Sequence, residues 1–299
     1  MLDVAGLDPS PELIALGRIL VEPGVTDLVC NGHRHLQVLR GGTWLTVPSP
    51  FDSAEALNLA ARSLVSAAGR RVDLSAPTVS VTLGERIRVH VVLSSAIAAE
   101  TLLSIRVLAD RQFGLAQLVQ LGTLDESMRS RLSLAMKSGR SVLVAGASGS
   151  GKTTLLRALL CEVVNRRVVV IEDIAELRMA LPNFASLVSR VANVEGRGAI
   201  ELLDLVVESL RMRADRIVIG EVRSKELIAL LQAGASGHAI STTIHARSPG
   251  EVLERINSIA LAHGLSLEAV RELMKVSIDL IVHIDVRQGK RSVEIFELP

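Results

Sequence analysis

The sequence contains no tyrosine, a single tryptophan and four phenylalanines. Single-stranded nucleic acid is held largely by stacking its bases on aromatic rings, so a chain this poor in them has little to offer such a ligand. Its two cysteines, Cys30 and Cys161, lie far apart and lack C-x-x-C spacing, which excludes a zinc ribbon and a disulfide framework. No excess of one charge is present. Thirty-three basic against 32 acidic residues leave a net +1, so no global field draws the chain to polyanions or anionic lipid. No apolar run reaches the ~18 residues of a membrane-spanning helix. Met1–Ser10 does not read as a signal peptide. These absences predict a cytoplasmic protein whose association with a membrane runs through partners.

What is present centres on residues 141–160, SVLVAGASGSGKTTLLRALL. A short apolar strand leads into Gly146-Ala147-Ser148-Gly149-Ser150-Gly151-Lys152-Thr153-Thr154, and a helix-forming stretch follows. This is the G-x-x-x-x-G-K-[ST] phosphate loop in its strand–loop–helix setting. The glycines let successive N–H groups turn inward, and the helix start adds its positive dipole end at the same spot. Lys152 is expected to reach the β- and γ-phosphates of ATP, and the Thr153 hydroxyl to hold Mg²⁺.

With 299 residues the chain is long enough for two domains. Residues 1–113 read as several strands with one long helix, a small α/β sandwich. Residues 114–122 read as a linker. Residues 123–299 alternate helices with uninterrupted apolar strands such as RVVVI at 167–171 and RIVI at 216–219. That alternation predicts an α/β domain with a largely parallel sheet.

Ligands of such sheets sit at the carboxyl ends of the strands. Two further strands end there in acids, one at Glu172-Asp173 and the other at Gly220-Glu221. An ATPase needs one carboxylate to organise Mg²⁺ and its waters and another to accept a proton from the attacking water. Which of Glu172 and Glu221 takes which part stays open. His245 ends another apolar strand, where an imidazole either contacts a γ-phosphate or hydrogen-bonds within the fold.

Four stretches in order resemble the secretion and pilus-assembly ATPases of type II and type IV systems, and in particular their tight-adherence (Flp pilus) branch, TadA/CpaF. They are GASGSGKTTLL, VIEDIAEL, GRGAIELLDLVVESLRMRADRIVIGEVR and GHAISTTIHARSP; GRRVD, GERIRVHVV and LLSIRVL extend the likeness upstream. The resemblance implies a hexameric ring of two-domain subunits, each a RecA-like ATPase domain with an N-terminal domain closing over ATP, working on inner-membrane platform proteins from the cytoplasmic face. It implies Glu172 and Glu221 as general base and Mg²⁺ organiser, His245 and His238 as the histidines of the His box, and Arg88 and Arg106 as cations facing the phosphates. The sequence departs from the family at Arg88-Val89-His90 and Arg106-Val107-Leu108. A conjugation-type secretion ATPase, a nucleic-acid translocase and a nucleotide-binding subunit without turnover are the competing expectations.

Overall fold

The computed structural model describes residues 10–84, 86–108, 113–190, 192, 197–287 and 289–298. Glu85, Gly196 and residues 1–9, each touched on by an expectation above, lie outside that set. The chain divides into two compact units, Met1–Arg111 and Gln112–Pro299.

The first unit runs α1 (Pro11–Leu20), β1 (Val25–Asn31), β2 (Leu36–Arg40), β3 (Thr43–Val47), α2 (Ala54–Ala67), β4 (Thr78–Leu83), β5 (Ile87–Val92) and β6 (Leu102–Val107). Its helices begin at serines: Ser10 accepts from the Leu13 N–H and Ser53 from the Ala56 N–H, each satisfying one of the otherwise unpaired donors of a first turn. The six strands form one antiparallel sheet in the order β3-β2-β1-β6-β5-β4. Alternate residues such as Leu28, Val89, Val91, Leu103 and Ile105 are buried with Leu16, Leu57, Leu64 and Val65 of the helices in one core. Several of the intervening residues, among them Asp27, His90, Ser104 and Arg106, carry polar or charged side chains. Cys30 lies in this core, where burial pushes its thiol up to about 12, so it behaves as a small apolar side chain.

The second unit runs α3 (Leu115–Gln120), α4 (Glu126–Lys137), β7 (Val142–Gly146), α5 (Lys152–Leu160), β8 (Val168–Glu172), β9 (Phe184–Val188), α6 (Leu202–Leu210), β10 (Arg216–Ile219), α7 (Glu226–Ala235), β11 (Ala239–His245), α8 (Pro249–Ala262), α9 (Leu267–Ser277), β12 (Leu280–Arg287) and β13 (Lys290–Glu297). The sheet order is β13-β12-β7-β11-β10-β8-β9. Every neighbouring pair is parallel except the β12–β13 hairpin. All residues of β7, β8 and β10 are buried, as both faces of a parallel sheet require. Two cores result, one on each face of the sheet. Each fully buried Val or Ile of these strands contributes roughly 1.5–3 kcal/mol, which makes the sheet a rigid platform for what its strand ends carry.

Several expectations need correction. The stretch read as a linker holds α3, whose Leu115 and Leu118 bury in the core of the second unit; apolar residues three apart gain more from packing than from staying extended. β9 was not expected: its half-exposed residues alternate weakly, yet it adds to β8 with Val168 opposite Phe184. α6 starts at Leu202, after Ile200, whose backbone exchanges two hydrogen bonds with Arg190. At the opposite edge of the sheet from the strands' carboxyl ends, the buried Arg216 donates to the Ile240 and Arg140 carbonyls (3.2 and 3.0 Å) and to Ser241 Oγ (2.7 Å). Burial pulls its pKa down to about 10, so it keeps its charge at neutral pH.

Candidate functional site

β7 delivers the chain to Gly146, and the loop from Ala147 to Gly151 turns it into α5. Gly149 and Gly151 have φ of 74° and 108°, backbone that side-chain-bearing residues rarely adopt. Lys152, 8% exposed, folds over the loop and donates from Nζ to the Gly146 and Ala147 carbonyls at 3.0 and 2.9 Å. An ammonium has three donors; two hold the loop and one remains for an anion inside it. Burial pulls the Lys152 pKa down, and the nearby charge of Glu221 opposes that pull. The first N–H groups of α5 lack intrahelical acceptors and sit at the positive dipole end. Ser150 Oγ is buried without a hydrogen-bond partner among the described residues. Glycine backbone, helix donors, an ammonium and an unmatched hydroxyl converge with no acid inside the loop. This donor set fits a polyphosphate. Thr153, half-buried in the first turn of α5, is the adjacent hydroxyl for a divalent cation.

The two carboxylates come at and just after the ends of neighbouring strands, since Ile171 of β8 pairs with Ile219 of β10. Glu172 is 5% exposed and accepts from the Glu176 N–H (3.1 Å) and the Leu177 N–H (3.0 and 3.2 Å). Burial pushes its pKa up to about 7, against the pull of those two N–H groups; the Glu176 charge adds to the rise and Arg157 opposes it. Such a carboxyl is a competent base at neutral pH. Glu221, next in the chain after Gly220, is partly exposed and accepts from Arg223 Nε at 2.8 Å and also from its Nη2. Thr243 of β11 steadies this corner by donating Oγ1 to the Gly220 carbonyl at 2.8 Å.

His245 ends β11 directly opposite Gly146 of β7. Its imidazole is exposed at the mouth of the loop's own strand pair. His238 is a correction. It precedes the first residue of β11, and because β11 runs parallel to β7 it falls at the other edge of the sheet, with Nδ1 3.3 Å from the Ala233 carbonyl. The structure therefore separates His238 from the phosphate loop of its own chain. In the first unit, Arg88 and Arg106 are direct partners across β5 and β6. Arg106 Nε donates to Asp27 Oδ1 at 2.7 Å.

Two residues escaped the sequence reading. Arg223 clamps Glu221 and carried a visible signal, its place two residues beyond a strand-end acid. Arg291 of β13 donates Nε to the Ser150 carbonyl at 3.0 Å across a separation of 141 residues, for which no local pattern exists. Just beyond α6, Arg211 pairs with Glu208 at 2.6 Å and Arg213 has φ of 54°. Among the described residues no helix is long and apolar enough to cross a membrane. Nor do three or more His, Cys, Asp or Glu residues there form a metal-holding cluster. A Mg²⁺ held by one hydroxyl, phosphate oxygens and water needs no such cluster.

The family described as T2SSE, Type II/IV secretion system protein, matches residues 59–288. A putative conjugal transfer protein of Mycobacterium tuberculosis is 36% identical over 282 residues, spanning 91% of this chain and 80% of that protein. The VirB11 ATPase of the Brucella suis type IV secretion system, solved with sulphate, matches over 96% of each chain with 25% identity and a TM-score of 0.51. The pilus retraction motor PilT, solved with ADP, matches over 97% of this chain and 84% of that one with a TM-score of 0.69; at 17% identity this likeness concerns the fold.

Proposed function

The chain belongs to the type II/IV secretion system protein family and is an ATPase of that family, and from that premise we propose that it is a hexameric motor of the tight-adherence (Flp, type IV-like) pilus branch or a related secretion machine. The observation that carries this reading is the convergence of a buried loop lysine, two strand-end carboxylates and His245 at one edge of the parallel sheet.

In this reading the loop N–H groups and Lys152 bind the β- and γ-phosphates of ATP. Glu172, with a pKa of about 7, accepts the proton of the attacking water; Glu221 organises the metal's water shell, and the two roles are exchangeable. Thr153 and Glu221 would hold Mg²⁺, which when bound neutralises the β/γ oxygens. His245 contacts the terminal phosphate. Arg88 and Arg106, from the same or a neighbouring subunit, supply guanidinium charge as the phosphoryl group departs. The ring acts on inner-membrane platform proteins from the cytoplasmic face. Few aromatic residues and a net charge of +1 disfavour a nucleic-acid translocase.

A second reading, a conjugation-type type IV secretion ATPase, is favoured by the Mycobacterium tuberculosis relative described as a putative conjugal transfer protein. Two experiments test these assignments. Steady-state phosphate release is expected to fall by at least ~10²-fold in Lys152→Ala and Glu221→Gln; wild-type rates in both would refute the site. Deleting the gene in its host should abolish surface pili and leave plasmid transfer intact. Loss of transfer with pili retained selects the conjugation reading instead.

A further inference from the structure

Arg291 reaches the phosphate loop from the other end of the second unit's sequence. It stands on β13, opposite Val286 in the β12–β13 hairpin. Its Nε donates to the Ser150 carbonyl at 3.0 Å. The same atom lies 3.4 Å from where a Cβ on Gly151 would sit, and Ile284 of β12 closes that side at 3.5 Å. The contact therefore falls on one peptide bond, Ser150–Gly151.

That peptide is where the loop most needs fixing. In a trans peptide the carbonyl and the following N–H point to opposite sides. Holding the Ser150 carbonyl toward β13 turns the Gly151 N–H the other way, into the concave side of the loop. A peptide ahead of a glycine flips readily, because glycine tolerates the φ on either side of the flip, and here Gly151 has φ of 108°. Flipped, it would present a carbonyl oxygen where a phosphate oxygen must lie, replacing attraction with repulsion. The hairpin is a firm anchor, since β12 is itself paired with β7 through Ile284 and Gly146.

We propose that Arg291 is a positioning residue for nucleotide binding, a latch that keeps the Ser150–Gly151 peptide in the orientation that donates to phosphate. The inference rests on the ATP-site reading above. It predicts an effect on the phosphate cradle alone, with the nucleoside and the chemical step untouched.

The test uses the full chain and compares wild type with Arg291→Ala and Arg291→Lys. Three quantities are read: KM for ATP, kcat, and the inhibition constant of inorganic tripolyphosphate, which lacks a nucleoside. Arg291→Ala should raise KM and the tripolyphosphate constant in parallel, by about tenfold, as expected for loss of one charge-assisted hydrogen bond. kcat should stay within about twofold, and Arg291→Lys should recover most of the loss. Unchanged constants overturn the latch, as does a rise in KM with tripolyphosphate inhibition intact, which would mean that Arg291 touches the nucleoside. Should Arg291→Ala fail to fold, Arg291→Gln decides, since it removes the charge and keeps the stem: raised KM and tripolyphosphate constants with kcat retained support the latch, and unchanged constants overturn it. A wild-type protein that hydrolyses no ATP refutes the ATP-site reading itself, a result distinguishable from any behaviour of the variants.

Discussion

Gly220 leaves the space that the Glu172 side chain fills: a Cβ at Gly220 would lie 2.9 Å from Glu172 Cγ and 3.1 Å from its Oε1. Glu172 ends β8 and Gly220 directly follows the neighbouring parallel strand β10, so the missing side chain of one is what allows the carboxyl of the other to bend toward the Glu176 and Leu177 amides. Gly220→Ala is therefore expected to displace the carboxyl. Because general-base catalysis contributes typically ~10²–10⁴-fold, turnover should fall by at least about tenfold. ADP binding, measured calorimetrically, should stay near the wild-type value, because the three atoms nearest a Cβ at Gly220 all belong to Glu172. Wild-type turnover in Gly220→Ala would show that Glu172 need not occupy its observed position.

The pH dependence of turnover follows from the same carboxyl. A base with pKa about 7 works only when deprotonated, so kcat should rise with pH through an acidic limb centred near 7. The charge of Glu176 helps to raise that pKa. Glu176→Gln keeps the backbone N–H that Glu172 accepts from and removes the charge, so the limb should move to lower pH. For folding the sign runs the other way. Protonated Glu172 favours the fold, a contribution present below its ordinary value of 4.5 and lost as pH rises through about 7. Denaturation midpoints of wild type and Glu172→Gln should consequently diverge over that interval, with the glutamine variant losing less. A limb that stays in place in Glu176→Gln would remove Glu172 from the titration.

The two histidines of the GHAISTTIHA stretch should separate in their effects. His245 lies across from Gly146, whereas His238 lies at the far edge of the sheet against the Ala233 carbonyl. His245→Ala is expected to cut turnover by about tenfold or more, the size of a lost contact to developing charge. His238→Ala should leave the ADP affinity of the isolated chain unchanged. Equal losses of ADP affinity in both variants would contradict the strand direction that separates them.

Legibility of this site in the sequence followed distance along the chain. Residues 146–154 announce themselves because every part of a phosphate loop is local: the glycine backbone, the helix donors and the lysine fall within nine positions. Glu172 and Glu221 were legible because apolar runs mark strands and an acid at the run's end marks the ligand edge. His238 was expected at the site only because the resemblance pairs it with His245 in the His box; seven residues of extended strand carry it to the opposite edge. Arg291 and the packing of Gly220 against Glu172 were illegible, since each depends on which strands become neighbours. β9 and α3 were missed for an energetic reason: their few buried apolar residues gain order from the sheet and core they join rather than from their own periodicity.

The neighbours of β7 bear on the order of events during synthesis. β7 pairs with β11 and β12, both of which leave the ribosome after it, and Arg291 follows later still. The signature stretch at 146–154 is thus translated long before the strands that flank β7 and the Arg291 contact exist. A nascent chain halted before residue 284 carries every letter of the motif and lacks the scaffold that turns those letters into a receptor for nucleotide.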